Sequence, residues 1–557
     1  MSENLSYLSG RKGLKQNLFE LMGDAAHGTG TPDLDKLEQL RKAFLVGKSS
    51  VYGAMSFYDF LKPENAGKKI YYCSGSACMT AGTQDQLKHE IQKHFKSEEI
   101  GAMCCLGRCH ENHAFHFNGK NYSGKEGLRA LKEDSLTSIS SGTTDQYQVK
   151  SLGRGILTGS QSDLNSFRGW FEKVRSLETV QWLEEIKKSG LRGRGGAGFS
   201  TAFKLDACRK AKGTEKFIVC NADEGDPGAF SDRYLLEHQP FLVLGGMLLA
   251  GLAAGAKWGV VYIRGEYPES VEVITKTIHE LEQAGLIGEN IRNTGASFQF
   301  KVIKAQGAYI CGEETALLSS IEGQRPEVRV RPPYPAVQGL FNQPTVVSNV
   351  ETLANLPFIL KNGGLEFSKI GRGKSTGTKL VSLDGFFKTP GIVEAEMGTP
   401  VDRIIMEAGG GYRVPVKALH IGGPLGGLVP IHKTKDLCLD FESFAEHGFL
   451  LGHASVVCIP SEFPLIKYIT HLFEFTAHES CGKCFPCRLG SQRGAEMFKK
   501  AAEGEYRIDR KLLDDLLETL ESGSLCMLGG GLPLPIRNGL QYFSEELTTY
   551  FTSKANT

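Results

Sequence analysis

Eight of the 14 cysteines fall into two groups of four, and their spacing limits what this chain can fold around more than any other feature. The first group is Cys73-x4-Cys78, followed after 26 residues by Cys105-x3-Cys109. The second is Cys481-x2-Cys484-x2-Cys487, with Cys526 after a further 38 residues. The amino terminus (MSENLSYLSGRKG) has no apolar stretch behind its charges, so it predicts no export signal. Clustered thiols in an unexported chain point to metal or redox work rather than disulfides.

The first group lies in a segment that reads as a small α/β unit. Lys68 to Tyr72 and Ala114 to Phe117 are strand-like, and Gln84 to Phe95 is an amphipathic helix. Each cysteine pair then sits on a loop, and two facing loops supply four thiolates to a [2Fe–2S] core, which often uses an x4 pair. Four-cysteine zinc stays open, because its pairs run from x2 to x4. Cys104 adjoins Cys105, but Cys105 has the x3 spacing to Cys109, with Gly107 between them. His110, His113 and His116 read as an exposed loop and strand face. The second group has three thiolates at x2 spacing and a remote fourth, the logic of a [4Fe–4S] cubane, with zinc again the alternative. Pro486 reads as stiffening its loop and Gly482 as admitting backbone N–H groups. Helices are predicted over Pro464–Phe475, Ser491–Ala502 and Arg510–Leu520. Cys208, Cys220, Cys311, Cys438 and Cys458 read as packing.

Between the thiol groups lies Gly193-Arg194-Gly195-Gly196-Ala197-Gly198, a literal G-x-G-x-x-G. A dinucleotide fingerprint follows a strand, whereas this loop follows the helix predicted over Thr179–Ser189, so the Rossmann reading fails. Its exposed backbone N–H groups, with Arg192, Arg194 and Lys204 adding charge, still suit a phosphate-bearing cofactor. The strand Lys216–Cys220 ends in Asn221, Asp223, Glu224 and Asp226 among glycines, like a ligand-binding edge of an α/β sheet. Gly312, Glu313 and Glu314 open a further helix. Their carboxylates suit ribose or flavin hydroxyls, or equally the helix dipole.

The chain has 557 residues with 64 basic and 63 acidic side chains. That length predicts several domains, and the balance gives no footprint for nucleic acid or an anionic membrane. Phe241 to Ala256 is an uncharged, Gly- and Ala-rich run, short of the ~20 residues a span needs. It predicts a buried helix, no membrane insertion, and a soluble, cytoplasmic protein.

Together these stretches carry a resemblance. Gly190–Thr201 (GLRGRGGAGFST), Cys220–Arg233 (CNADEGDPGAFSDR), Gly307–Leu317 (GAYICGEETAL), Arg331–Leu353 and Glu479–Arg488 (ESCGKCFPCR) resemble the flavin-bearing, NADH-oxidising subunit of respiratory complex I. The first 140 residues, with Val51–Tyr58 and Cys105–Cys109, resemble its small thioredoxin-like [2Fe–2S] partner. The fusion is similar to diaphorase subunits of NAD-reducing hydrogenases and of some NAD-dependent formate dehydrogenases.

The resemblance implies FMN held by Gly193, Gly195, Lys204, Asn221, Asp223, Tyr309, Gly312, Glu313 and Asn349. It implies NAD(H) near Phe199, Glu224, Asp226, Glu314, Arg331 and Tyr334, with Gly196, Gly198 and Ser348 completing the cofactor-binding set. Glu313 and Glu314 would repel a 2′-phosphate, favouring NAD over NADP. Asp226 replaces the usual Glu, Ser348 the first of two asparagines and Tyr334 a Phe. Leu205-Asp206-Ala207 replaces Trp-Ser-Phe, which implies a weaker adenine grip.

The expected architecture is multidomain α/β. It comprises a helical region (1–65), a thioredoxin-like [2Fe–2S] domain (66–140), a linker (141–164), an α/β FMN/NAD domain (165–365), a β-grasp-like, SLBB-type domain (366–445) and a [4Fe–4S] helical bundle (446–557). The implied activity is exchange of hydride between NAD(H) and FMN, with no side-chain acid or base. Single electrons then pass through iron–sulfur centres to partner subunits and a hydrogenase or formate dehydrogenase module. Two other readings stay open at this level: a bifurcating subunit that also engages ferredoxin, and a non-catalytic zinc-thiolate scaffold.

Overall fold

The computed structural model describes residues 13–26, 30–133 and 147–552. The amino-terminal segment read for an export signal and residues 141–146 of the expected linker lie outside the described residues.

Four strands form a fully parallel sheet: β1 (Phe217–Ala222), β2 (Trp258–Ile263), β3 (Gln299–Lys304) and β4 (Thr345–Asn349). Their order is β3-β2-β1-β4, so the winding reverses between β1 and β4. β1 and β2 are continuous apolar runs because both of their faces are covered. One face receives helix Pro240–Ala254, the apolar run singled out above. Proline opens this helix, and Gly255 closes it in the left-handed region (φ 74). Gly246 packs directly on the Leu353 carbonyl, an approach that any Cβ would block. Among the described residues no single helix is long and apolar enough to cross a membrane.

The other face is covered from an unexpected direction. Leu18, Phe19, Met22, Val51, Ala54 and Tyr58, from helices Leu18–Ala25 and Lys48–Met55 and the turn after them, share one core with Phe217, Val219, Val260 and Tyr262 of the sheet. The amino-terminal helices therefore complete the parallel-sheet unit as well as leading into the first thiol unit.

That unit, residues 66–133, has a four-stranded mixed sheet. Ile70–Cys73 is parallel to Ile100–Met103 and antiparallel to Phe115–Phe117, which pairs with Lys120–Tyr122. His110 and His116 are buried here, which corrects the exposed-face expectation. His116 hydrogen-bonds Asn121 at 2.8 Å, and Asn121 donates to the Glu266 carbonyl at 2.6 Å. His110 packs between Tyr147 and Phe230. His110 is covered by Phe230 of the flavin-side unit and His116 packs on Phe60 of the amino-terminal region, partners that local patterning does not reveal.

A six-stranded mixed sheet combines Thr378–Leu383, Gly391–Glu396, Val416–Ile421, Gly427–Pro430 and Ser455–Pro460 with Gln148–Leu152 at one edge. The last strand comes from the expected linker. Its polar composition suggested a tether, but the buried Glu394 carboxylate accepts the N–H groups of Ile156, Leu157 and Thr158 and ties the segment down. Ser455–Pro460 also joins this sheet, although it falls within 446–557. Beyond it come helices Leu465–Glu479, Phe485–Ala502, Arg510–Gly523 and Pro533–Tyr542. The helix expected from Ser491 starts at Phe485, because Pro486 occupies its first turn, so Cys487 is on a helix and not in a loop.

Candidate active site and thiol centres

In an open parallel sheet, ligands bind beyond the strand ends where the winding reverses. Here that point lies between the carboxyl ends of β1 and β4. Asn221 and Asn349 are paired in register at those ends, with Ser348 opposite Cys220. The Asn221 amide donates to the Gly312 carbonyl at 2.8 Å, and its oxygen accepts the Asp223 N–H at 3.2 Å. The Asp223 carboxyl is buried, Oδ2 has no protein partner, and burial pushes its pKa well up. Glycines let backbone close in around it. A Cβ on Gly312 would stand 3.3 Å from the Asp223 carbonyl, and one on Gly195 would stand 3.1 Å from Asn349. Tyr309 Oη donates to Asp226 at 2.7 Å, and its N–H donates to Glu479 at 2.9 Å.

The glycine loop starts at Gly190, which ends helix Thr179–Ser189 in the left-handed region. Gly193 N–H donates to the Phe199 carbonyl at 2.8 Å, closing the loop, and Gly196 and Gly198 take positive φ (119 and 59) that side chains resist. Two of the three expected cations do not face the site. Arg194 is fully buried behind the loop and donates to the Thr376 carbonyl at 2.5 Å. Arg192 pairs with Glu442 at 2.6 Å and lies over Phe441. Only Lys204 remains, donating to the Val347 carbonyl at 3.0 Å and to Glu314 at 3.1 Å. Phe199, Phe203 and Tyr334 are exposed.

The carboxylates also divide by role. Glu224 is not a free ligand: it accepts the Asp232 and Arg233 N–H groups at 2.9 and 3.0 Å and so caps helix Ser231–His238. Glu313 caps helix Glu314–Ile321 through the Thr315 and Ala316 N–H groups, both 2.9 Å away. Glu314 lies between Lys204 and Arg331, each 3.1 Å away. The expected acidic pair is thus one cap plus one neutralised carboxylate, which weakens the repulsion argument against a 2′-phosphate.

Both thiol groups converge. Cys105 Sγ lies 3.4 Å from Cys109 Sγ, and Cys73 interacts with Cys105 and Cys78. Cys109 accepts the Gly228 N–H at 3.2 Å, from the loop that carries Asp226. Cys104 is also close, since a Cβ on Gly75 would touch both the Cys104 and Cys73 sulfurs at 3.5 Å. In the second group Cys487 neighbours Cys481 and Cys484, and Cys526 neighbours Cys481 and Cys487. Burial pushes the Cys526 thiol up to about 12 and Cys487 up to about 11, a cost that a cationic core would offset. All eight are free thiols.

Sequence reading missed Arg264, which joins the two regions by donating to the Glu224 carbonyl at 2.5 Å, to the Cys104 carbonyl at 3.3 Å and to Glu266 at 2.8 Å. It also missed Asp232, which lies within the stretch Cys220–Arg233 without an assigned role, and His453, which no motif marks.

Family comparison matches residues 186–358 to the Nuo51 FMN-binding domain and residues 467–550 to the NADH-ubiquinone oxidoreductase-F iron–sulfur binding region. The chain is 38% identical over 420 residues to the NADP-reducing hydrogenase subunit HndC of Solidesulfovibrio fructosivorans, covering 74% of this chain and 85% of that one. It is 37% identical over 421 residues to the mitochondrial NADH dehydrogenase (ubiquinone) flavoprotein 1 of Dictyostelium discoideum, covering 73% of this chain and 84% of that one. Among solved structures, a chain of the air-oxidised NAD+-reducing [NiFe]-hydrogenase superposes with a TM-score of 0.84 at 28% identity, covering 97% of this chain and 94% of that one.

Proposed function

The chain belongs to the family of NADH-oxidising flavoprotein subunits common to complex I and NAD-reducing hydrogenases, and on that premise we propose how its own residues divide the work. It is an oxidoreductase subunit with FMN and [4Fe–4S] binding regions. The observation that carries the site reading is the partnerless Asp223 carboxyl between glycines at the sheet's switch point. A flavin hydroxyl or ring N–H supplies the missing partner, so the residues fit FMN.

FMN, when bound, takes an electron pair as hydride from NAD(H) and releases it singly. Asn221, Asp223, Gly312 and Asn349 would hold that group, and the loop at Gly195–Gly198 would give it backbone N–H groups, those of Gly193 and Arg194 being committed to Phe199 and Thr352. Lys204 meets its phosphate or that of the nucleotide. Asp226, fixed by Tyr309 Oη, orients the nicotinamide carboxamide. Glu224 holds the fold beneath them and touches neither ligand. Phe199, Arg331 and Tyr334 form the outer nucleotide wall.

Cys481, Cys484, Cys487 and Cys526 hold the [4Fe–4S] cluster, and Cys73, Cys78, Cys105 and Cys109 hold a [2Fe–2S] cluster in a thioredoxin-like unit; both groups carry one electron at a time. Cys484 and Cys526 are half-buried, and exposed Phe485, Leu489, Leu525 and Met527 surround them. That apolar rim is the face on which an iron–sulfur partner subunit docks, leading to a hydrogenase or formate dehydrogenase module. The thiol content suits the reducing cytoplasm.

The test is cofactor content after anaerobic purification. About one FMN and about six irons per chain are expected. About four irons with flavin retained removes the first centre alone, whereas zinc in place of iron, or a folded chain without flavin, contradicts the reading.

A further inference from the structure

We propose that His453 is a positioning residue for flavin binding, acting through Asp232 on the Asn349 amide. The proposal rests on the assignment of Asn349 to FMN. His453 lies in the turn before strand Ser455–Pro460, so it reaches the switch point from the six-stranded sheet, not from the parallel one. Its ring is buried. Nε2 donates to Asp232 Oδ2 at 3.1 Å, and the same oxygen accepts the Asn349 amide at 2.6 Å. Asn349 Oδ1 meanwhile accepts the Thr352 N–H at 3.3 Å. One amide hydrogen of Asn349 is thereby fixed on Asp232, which sets the plane of the carboxamide and the direction of its remaining hydrogen and lone pair.

The surroundings explain why a cation is needed there. Glu224 and Asp232 are buried carboxylates with half-buried Asp226 beside them, and His453 Nδ1 stands 3.8 Å from Glu224. Lys379 is the other charge that the ring senses, while Arg233 N–H and Asp232 N–H already serve the Glu224 carboxylate. The neighbouring Asp232 and Glu224 outweigh burial and Lys379, holding the imidazole protonated up to about pH 9. Its neighbour Gly452 packs against Gly196, where a Cβ would stand 3.7 Å away, so the histidine sits under the glycine loop itself.

The experiment is a double-mutant cycle on FMN affinity in the full chain, using His453→Gln, Asn349→Ala and both together. Each single change is expected to weaken FMN about tenfold, the loss of one hydrogen bond to a charged or buried group. The pair should weaken it by little more than either alone, because both remove the same oriented amide. An additive, roughly hundredfold, effect overturns the proposal and leaves Asn349 as a flavin ligand. Lower thermal stability with unchanged FMN affinity in His453→Gln also overturns it. An Asn349→Ala chain with native affinity removes the Asn349 assignment and the role of His453 together.

A second measurement uses the native chain and needs no substitution to fold. The folded-state pKa of His453 lies above its ordinary value, so its contribution is present at neutral pH and is lost as pH rises through about 9. FMN affinity should fall across that step in the native chain and show no such step in His453→Gln. A step of equal size in both contradicts the proposal.

Discussion

Lys204→Ala is expected to lower kcat/KM for NADH-dependent ferricyanide reduction by about a hundredfold. Lys204 is the only expected cation of the loop region that faces the site, since Arg192 is committed to Glu442 and Arg194 is buried against Thr376. A charged hydrogen bond to a phosphate or carboxylate contributes about 1.5–3 kcal/mol, and every 1.4 kcal/mol is a factor of ten. The substitution also frees the Glu314 carboxylate, which then faces an anionic ligand with Arg331 as its remaining partner among the described residues. Flavin content separates the two routes to failure. Loss of FMN places Lys204 on the flavin phosphate, and retained FMN with raised KM places it on the nucleotide. Lys204→Arg should restore part of the rate. Turnover within threefold of native in the alanine variant would contradict the assignment.

Lys379→Met is expected to produce the largest loss of stability. Lys379 and Glu351 are both fully buried and form an ion pair; the Lys379 ammonium also donates to the Leu380 carbonyl at 2.9 Å, and Glu351 accepts the Leu380 N–H at 2.9 Å. The pair ties helix Val350–Ala354, at the end of β4, to strand Thr378–Leu383 of the six-stranded sheet. Removing the lysine leaves a carboxylate buried without its cation, which costs about 3–5 kcal/mol. The double change Lys379→Met with Glu351→Leu should recover most of that loss, because a well-packed apolar pair avoids the desolvation of two charges. Thermal unfolding followed by calorimetry reads both. Equal melting temperatures for the native and single-variant chains would show that the pair is not what joins these two layers.

The parts legible in the sequence were those written in short spacings. The helix-ending Gly190 and the uncharged run from Phe241 are local, and the structure places both as expected. Of the first cysteine pair, expected on a loop, Cys73 instead ends a strand and Cys78 lies in helix Ser76–Thr80. The parts that were not legible depend on partners far along the chain. Glu224 sits in the same acidic string as Asp226, but a helix start eight residues on claims it, and only the fold reveals this. Arg194 stands among glycines like a phosphate-facing cation, yet Thr376, 182 residues away, takes its guanidinium. The amino-terminal helices cover a sheet whose first strand begins at Phe217, and their own amphipathic pattern does not name that partner. Pro486 reads in the sequence as stiffening a loop, and the structure corrects this to a helix start. Its place in the first turn of Phe485–Ala502 puts Cys487 near a helix amino terminus, where the dipole favours the negative charge of a thiolate.

The central claim is that this chain converts paired reducing equivalents from NAD(H) into single ones at a flavin held at the switch point. Anaerobic mixing with NADH, followed by visible absorption in the native chain and in Cys487→Ala, tests it most directly. The account expects rapid loss of flavin absorption in both, with onward reduction of a one-electron acceptor dependent on the [4Fe–4S] centre and therefore lost in the variant. A native chain that is folded and holds its cofactors, but whose absorption NADH leaves unchanged, would contradict it.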